Sequence, residues 1–233
     1  MGNGVDDVSA LHLVLSGDST LFAIVRLSLV VSLTATLVAA ILGAPFGALI
    51  ALTRFPGREP VIVALNALMG LPPVVVGLTT YLLLSRSGPL GAWGILFTPA
   101  AMVIAQTILV TPIIASLTRQ TIEDLWAEYR DELAGMHVRP ARRVLTLLWD
   151  ARYSLVTALL AGFGRAAAEV GAIIIVGGNI EGYTRTMTTA IALETSKGNL
   201  SLAIGLGVVL LFVILLINTV AWGLRRASER LVT

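Results

Sequence analysis

Residues 200–224 read LSLAIGLGVVLLFVILLINTVAWGL, a run that contains no charged side chain. At about 1.5 Å per helical residue, this run is long enough to cross roughly 30 Å of hydrocarbon. Four further stretches are apolar enough to do the same. The sequence therefore predicts five membrane-spanning helices near residues 21–52, 61–84, 98–117, 153–176 and 200–224.

The composition of the whole chain agrees with a membrane environment. Of its 233 residues, 56% are hydrophobic and 13% are charged, and the mean hydropathy is +0.89. Soluble domains carry about 25% charged residues, so this chain has about half the usual water-facing charge. The absence of cysteine excludes disulfides and thiolate metal sites, and the net charge of +2 is too small to indicate a nucleic-acid partner. We predict one all-α domain, residues 1–233, that passes several times through the cell membrane.

The distribution of basic residues predicts the orientation of the chain. With the N-terminus outside, eleven basic residues fall in cytoplasmic loops and in the C-terminal tail, whereas Arg86, Arg185 and Lys197 fall outside. Cytoplasmic loops are enriched in lysine and arginine, so we expect the C-terminus to be cytoplasmic. In the first stretch, Gly43 and Gly47 flank Pro45; these residues either kink the helix or let it pack closely against a neighbour.

The cytoplasmic segment 119–152 has the pattern of two short helices. Thr121 and Asp124 have the spacing of a capping box, and apolar residues follow at helical spacing up to a break between Gly135 and Pro140. Two interpretations stay open for the apolar face of this segment. It lies on the membrane surface, or it docks in a groove of a cytoplasmic partner.

Charged and polar residues also occur in and after the fourth stretch. Arg165 and Glu169 are four residues apart, so on one helix they would share a face and could pair. They either form a structural ion pair or line a transport path, because an uncompensated charge in a bilayer costs about 2.5–3.5 kcal/mol. The loop that follows combines five threonines with Arg185 and Lys197. These donors would suit a small oxyanion, although threonines are also ordinary loop residues.

Two parts of the sequence resemble a known family. Gly135, Leu145 and Leu147 match the spacing of the conserved cytoplasmic loop of binding-protein-dependent ABC importer permeases, although Leu148 replaces a proline there and 129–131 replaces Glu-Ala-Ala. Residues 162–195, with the strings FGR, EVGA, GGNI, GYTR and TTAIALET, resemble the permease of ABC tungstate importers. This resemblance extends over residues 21–224.

The resemblance implies a fold, partners and functional positions. It implies the MetI-like architecture of ABC importer permeases, a homodimer in the membrane, two cytoplasmic ATP-binding subunits that hold the ATP, and an extracytoplasmic oxyanion-binding protein. The chain itself would bind no cofactor or metal and would have no catalytic residue. The expected ATPase-coupling residues are Tyr129, Glu132, Ala134, Gly135 and His137. The expected path or gate residues are Arg165, Glu169, Gly177, Gly178 and Asn179, and the expected outer-mouth residues are Thr184, Arg185, Thr188 and Thr189.

Alternative functions are compatible with parts of the sequence. The permease could serve molybdate or another oxyanion, because the binding protein would select the substrate. The chain lacks the Gly-x-x-x-x-Gly-Lys-Ser/Thr phosphate loop, so energy from ATP would have to come from a partner. A secondary carrier that uses Arg165 and Glu169 as a proton relay needs no ATPase. An intramembrane enzyme is disfavoured, since His12 and His137 are the two histidines and both lie outside the predicted spans.

Overall fold

The computed structural model of the chain describes residues 19–135 and 140–230. In these two ranges the chain is helical, with one short 3-10 turn at Gly91–Trp93 and no β-strand, which confirms the predicted all-α class. The helices are α1 (Ser19–Leu52), α2 (Arg58–Leu68), α3 (Pro73–Leu84), α4 (Pro99–Gly135), α5 (Pro140–Asp150), α6 (Arg152–Ala167), α7 (Gly171–Gly177), α8 (Met187–Ser196) and α9 (Leu200–Arg230).

The number of possible membrane spans agrees with the prediction of about five. Three described helices, α1, α4 and α9, are individually long and apolar enough to cross a membrane. Two bent pairs, α2 with α3 and α5 with α6, raise the number to five if each pair counts as one span. Large apolar side chains on α9 face outward, such as Leu211, which is 69% exposed. A helix of this kind is suited to contact with lipid.

The second predicted stretch, 61–84, is not one continuous helix. It is divided into α2 and α3, whose axes differ in direction by 99°. Pro72 and Pro73 explain the break, because proline has no N–H to donate and disfavours helical backbone in the residue before it. Pro73 instead occupies the first turn of α3, where its missing N–H costs nothing.

The third predicted stretch continues beyond the expected end. α4 runs without interruption to Gly135, so the helix of the span and the first half of the cytoplasmic segment are one element. The interpretation of Thr121 and Asp124 as a capping box is therefore wrong. Thr121 lies inside α4, and its hydroxyl donates to the carbonyl of Leu117 at 3.1 Å. The predicted break between Gly135 and Pro140 is where α4 ends and α5 begins.

The chain divides into two compact units. The first contains the described part of Met1–Thr34 together with Pro72–Gln106 and Ala167–Gly223, and the second contains Ala35–Leu71, Thr107–Ala166 and the described part of Leu224–Thr233.

In the second unit, α1 packs closely against α4 at two glycines. A Cβ atom on Gly43 would lie 2.9 Å from the carbonyl oxygen of Thr111, and one on Gly47 would lie 2.2 Å from that of Ala115. α1 itself continues through Pro45 to Leu52. The small residues of the first stretch therefore serve close helix packing.

Candidate functional site

The fourth predicted stretch is interrupted, and Glu169 lies in the interruption. α6 ends at Ala167 and α7 starts at Gly171, so the expectation that Arg165 and Glu169 share one helical face is wrong. Arg165 lies in the last turn of α6, where a cation complements the negative end of the helix dipole.

The carboxylate of Glu169 caps the N-terminus of α7. Glu169 is 2% exposed, and its Oε1 accepts the backbone N–H of Ala172 at 3.1 Å. This N–H belongs to the first turn of α7 and has no acceptor within the helix. The hydroxyl of Thr188 donates to the backbone carbonyl of Glu169 at 2.8 Å. Two residues predicted to serve different parts of the passage, Glu169 and Thr188, are thus in direct contact.

We expect Glu169→Ala to lower the free energy of unfolding by about 1–3 kcal/mol, because the N–H of Ala172 would lose its acceptor in a buried place. Glu169→Gln keeps a side-chain oxygen for this N–H, so its loss should be clearly smaller. Thermal unfolding of both variants in detergent measures the difference. Equal losses in the two variants would contradict the capping role and would indicate that the negative charge is what matters.

The expected outer-mouth threonines are used to fold the segment between α7 and α8. Thr184 is fully buried; its hydroxyl donates to the carbonyl of Gly177 at 2.6 Å and accepts the N–H of Ile180 at 2.9 Å. Thr186 and Thr189 form a reciprocal capping box at the start of α8. These hydroxyls hold the loop in one conformation. A role of Thr184, Thr188 and Thr189 toward a ligand stays a prediction.

A strained corner lies at the end of α7. Gly178 and Asn179 both have left-handed backbone, with φ of 71° and 50°, and Phe97 has φ of 61°. The N–H of Phe97 donates to the carbonyl of Val176 at 2.9 Å, and a Cβ atom on Gly178 would lie 3.0 Å from the Phe97 ring. The buried side-chain oxygen of Asn179 accepts no hydrogen bond from the described residues. Left-handed backbone in residues other than glycine, as at Asn179 and Phe97, is often kept at functional positions. A role of 177–179 in the path or gate stays a prediction.

α3 lies directly on α7 within the first unit. A Cβ atom on Gly77 would lie 2.8 Å from the Cα of Ala172, and one on Gly171 would lie 3.1 Å from Val74. The absence of side chains at these glycines therefore lets the two backbones approach each other. The position of α7, and with it Glu169 and the strained corner, depends on this contact.

Arg185 differs from the threonines around it because it reaches open space. It lines two cavities of about 290 Å³ each. The first is also lined by Arg26, and the second by Glu181, Glu194 and Lys197. Arg185 is therefore the predicted mouth residue that is best placed to meet a ligand.

The ion pair at the end of α8 remains charged at neutral pH. Lys197 Nζ donates to Glu194 Oε1 at 2.8 Å, and Asn199 Nδ2 donates to Oε2 at 3.3 Å. The hydrogen bond from Lys197 is the main reason why the pKa of Glu194 lies below its ordinary value. The carboxylate is thus ionised and neutralises the positive charge of Lys197 in the second cavity.

In the second unit, the apolar face of the cytoplasmic segment packs on the chain itself. Ile122 of α4 and Leu147 of α5 are fully buried in one cluster with Ala48, Ala51 and Ala151. Trp126 and Tyr129 pack against this cluster. A good part of the face that we expected to meet the membrane or a partner is therefore already covered. On α5, Leu145 and Trp149 remain exposed.

A charge network joins the start of α2 to α4. Glu123 accepts from Arg58 through Oε1 and from Arg119 through Oε2. Arg58 also donates through Nε to the carbonyl of Ile50 at 3.0 Å. The Arg119 side chain is only 9% exposed. Arg119 and Glu123 are four residues apart on α4, a spacing that allows pairing, whereas Arg58 lies 65 residues before Glu123 and has no local sequence signal that links it to them.

The expected ATPase-coupling residues fall at the end of α4. Tyr129 is half-buried and Glu132 is exposed, and Ala134 and Gly135 form the last turn of the helix. His137 lies outside the described residues. Coupling by these residues stays a prediction.

The fold defines an integral protein of the cell membrane with several membrane-spanning helices. No protein-family model matches the chain. The chain is 42% identical over 203 residues to the probable anion ABC transporter permease protein of Haloferax volcanii, which covers 85% of this chain and 88% of the relative. It is 37% identical over 217 residues to the tungstate uptake system permease protein TupB of Peptoclostridium acidaminophilum, which covers 93% and 95%.

A second TupB, from Campylobacter jejuni, is 40% identical over 158 residues, with 68% of this chain and 66% of the relative covered. The chain belongs to the family of ABC transporter permeases that includes these tungstate and anion permeases. The resemblance found in the sequence is thereby confirmed. The relatives are transport subunits, so the chain is a transport component.

Proposed function

We propose that the chain is the pore-forming subunit of an ATP-driven importer for a tetrahedral oxyanion, and that the oxyanion is tungstate. The proposal is carried by the similarity to a tungstate uptake permease, which extends over 93% of the chain. Two copies of the chain form the passage, an extracytoplasmic binding protein delivers the oxyanion, and two ATP-binding subunits supply the energy. The chain binds no cofactor and catalyses no reaction itself.

Coupling to the ATP-binding subunits takes place at the cytoplasmic end of α4 and at α5. In this arrangement the N-terminus is outside, and Tyr129, Glu132, Ala134, Gly135 and His137 transmit the movement of the ATPase. The continuity of α4 from Pro99 to Gly135 supports this role, because one helix connects the membrane stretch to the cytoplasmic segment. The exposed Leu145 and Trp149 offer α5 an additional contact surface.

The passage is controlled near the interruption between α6 and α7 and near the corner that follows. Irregular backbone at membrane depth is tolerated where it is buried in protein or lines a water-filled cavity. The interruption at 168–170 falls within the fourth apolar stretch and holds the buried Glu169, and the left-handed corner at Gly178 and Asn179 follows α7. We assign Arg165, Glu169, Gly177, Gly178 and Asn179 to the path or its gate on this basis.

Reconstitution tests this function directly. The chain should be purified with its ATP-binding and binding-protein partners and placed in proteoliposomes, with binding protein and tungstate on the outer side. We expect tungstate uptake that requires ATP, all three components and a hydrolysis-competent ATPase. A complex with a hydrolysis-deficient ATPase variant is the matched control and should not accumulate tungstate.

Two other outcomes would point elsewhere. Uptake driven by a pH gradient, without the ATPase, would contradict the importer and would favour a secondary carrier that uses Arg165 and Glu169. ATP-dependent uptake of molybdate in preference to tungstate would keep the ABC importer and change its substrate. Competition between the two anions in one assay separates these cases.

A further inference from the structure

We propose that Arg26 of α1 and Arg185 of the segment before α8 together bind a tetrahedral oxyanion in the cavity that both side chains line. The inference rests on the proposed function, because it takes the transported solute to be such an anion. It adds a binding site within the permease itself and introduces Arg26, which the sequence patterns did not single out.

The two arginines come from distant parts of the chain and meet at one cavity. The cavity has a volume of about 290 Å³, and Thr20 and Tyr183 also line it. A single water needs only about 10–15 Å³ of comparable space, so the cavity admits a small ion with part of its hydration. Arg26 lies seven residues after the start of α1, or about 10 Å along the helix. In the predicted orientation the site is therefore close to the outer surface.

The described lining of this cavity carries positive charge only. None of its described lining residues is acidic, and Arg26 forms no ion pair within the described ranges. The neighbouring cavity provides a comparison within the same unit. There, Glu181 and Glu194 offset Arg185 and Lys197. Arg185 lines both cavities and lies 3.5 Å from Glu181, so the charge in the first cavity without a described acidic partner is that of Arg26, which an anion would neutralise.

Arg185 also has an N–H donor without an acceptor among the described residues. Its Nη1 lies 3.5 Å from Glu181 Oε1, a long contact to a carboxylate that is 73% exposed. Its Nε is buried, and no described residue accepts a hydrogen bond from it. Buried polar atoms are nearly always satisfied, so this unpartnered N–H calls for an explanation, and a bound anion would supply the acceptor. Guanidinium groups form paired, charge-assisted hydrogen bonds with oxyanions, which fits this ligand class.

The same chemistry could come from two sources. One is the transported oxyanion on its way from the binding protein, and the other is the phosphate of a membrane lipid. Both present tetrahedral oxygens to Arg26 and Arg185. The site is defined by these two side chains in either case, and experiments with and without lipid distinguish the sources.

The test measures equilibrium binding of sodium tungstate to the full-length chain in lipid-depleted detergent by calorimetry. We expect Arg26→Gln and Arg185→Gln each to weaken binding at least about tenfold, as expected for a lost hydrogen bond to a charged group. Arg86→Gln is the matched control, since Arg86 is exposed and lines neither cavity; it should bind as the wild type does. Glu181→Gln should strengthen binding, because Arg185 would be released from its carboxylate.

The second arm adds anionic phospholipid and follows its retention by native mass spectrometry. Tungstate binding that depends on Arg26 and Arg185 identifies the transported anion as the ligand. Lipid retention that depends on both arginines, without tungstate binding, identifies a lipid phosphate. Binding of either ligand that is unchanged in Arg26→Gln and Arg185→Gln, or no binding in either arm, overturns the site. If the proposed function were wrong but the site were right, the reconstituted complex would not take up tungstate, whereas binding at the two arginines would be unchanged.

Discussion

Replacing Glu123 by alanine is expected to lower the free energy of unfolding by about 2–3 kcal/mol, somewhat less than breaking a fully buried ion pair, because the Glu123 side chain is 31% exposed. The loss comes mainly from Arg119, because Arg58 keeps other hydrogen-bond partners in this variant. Arg58 would retain the Ile50 carbonyl and Glu59, which lies 3.2 Å away. Arg119 would lose the carboxylate that neutralises it while it stays 9% exposed. Thermal unfolding of the purified variant in detergent measures the loss.

Two further variants separate the ion pair from a general effect on the segment. Asp124→Ala removes an exposed carboxylate one residue away and should change the stability by less than about 0.5 kcal/mol. The double variant Arg119→Leu with Glu123→Leu should recover most of the loss, since an apolar pair of similar volume can replace a buried ion pair. A loss in Glu123→Ala no larger than in Asp124→Ala would show that the network contributes little.

Replacing Gly77 by valine is the second change with a large expected effect. Its Cβ atom would lie 2.8 Å from the Cα of Ala172, and the two backbones would have to separate. Overpacking of this kind costs about 1–3 kcal/mol, and the branched side chain places Gly77→Val near the upper value. Because α7 carries the strained corner, we also expect tungstate uptake by the reconstituted complex to fall.

Gly164→Val is the matched control for Gly77→Val. Gly164 is also a helical glycine, but a Cβ atom there would meet nothing within 4 Å. The same substitution should therefore leave the unfolding temperature nearly unchanged. If both variants lost equal stability, the loss would come from valine in a helix and not from the contact between α3 and α7.

The apolar stretches were predictable from sequence because hydropathy over a span sums many residues. The interruptions within them were harder to see. Pro72 and Pro73 are a local signal for a helix break, but the hydropathy of residues 61–84 as a whole predicted one continuous span. The interruption at Glu169 has no such signal, since Ala166 to Ala168 are good helix formers. It depends on contacts of Glu169 with Ala172 and Thr188, which are made only in the folded chain.

The predicted site residues likewise show what the sequence reveals and what it does not. The threonines after α7 were noticed because they form a donor-rich cluster, yet four of them are buried and three bond within their own loop or cap a helix. Composition reveals that hydroxyl groups are present, whereas their direction is set by local backbone geometry. Arg26 has no motif around it in the sequence, because its relation to Arg185 depends on the fold, which places both side chains at one cavity.

Because α4 is one helix, the side-chain directions in its membrane stretch determine the side-chain directions in its cytoplasmic part. Each helical residue turns the chain by about 100° and advances it by about 1.5 Å. Ile114 packs with Ala39, and eight residues later Ile122 packs with Ala48 and Ala51. One residue inserted between these isoleucines would swing the second contact by more than a quarter turn. Both contacts therefore require a fixed number of residues between Ile114 and Ile122.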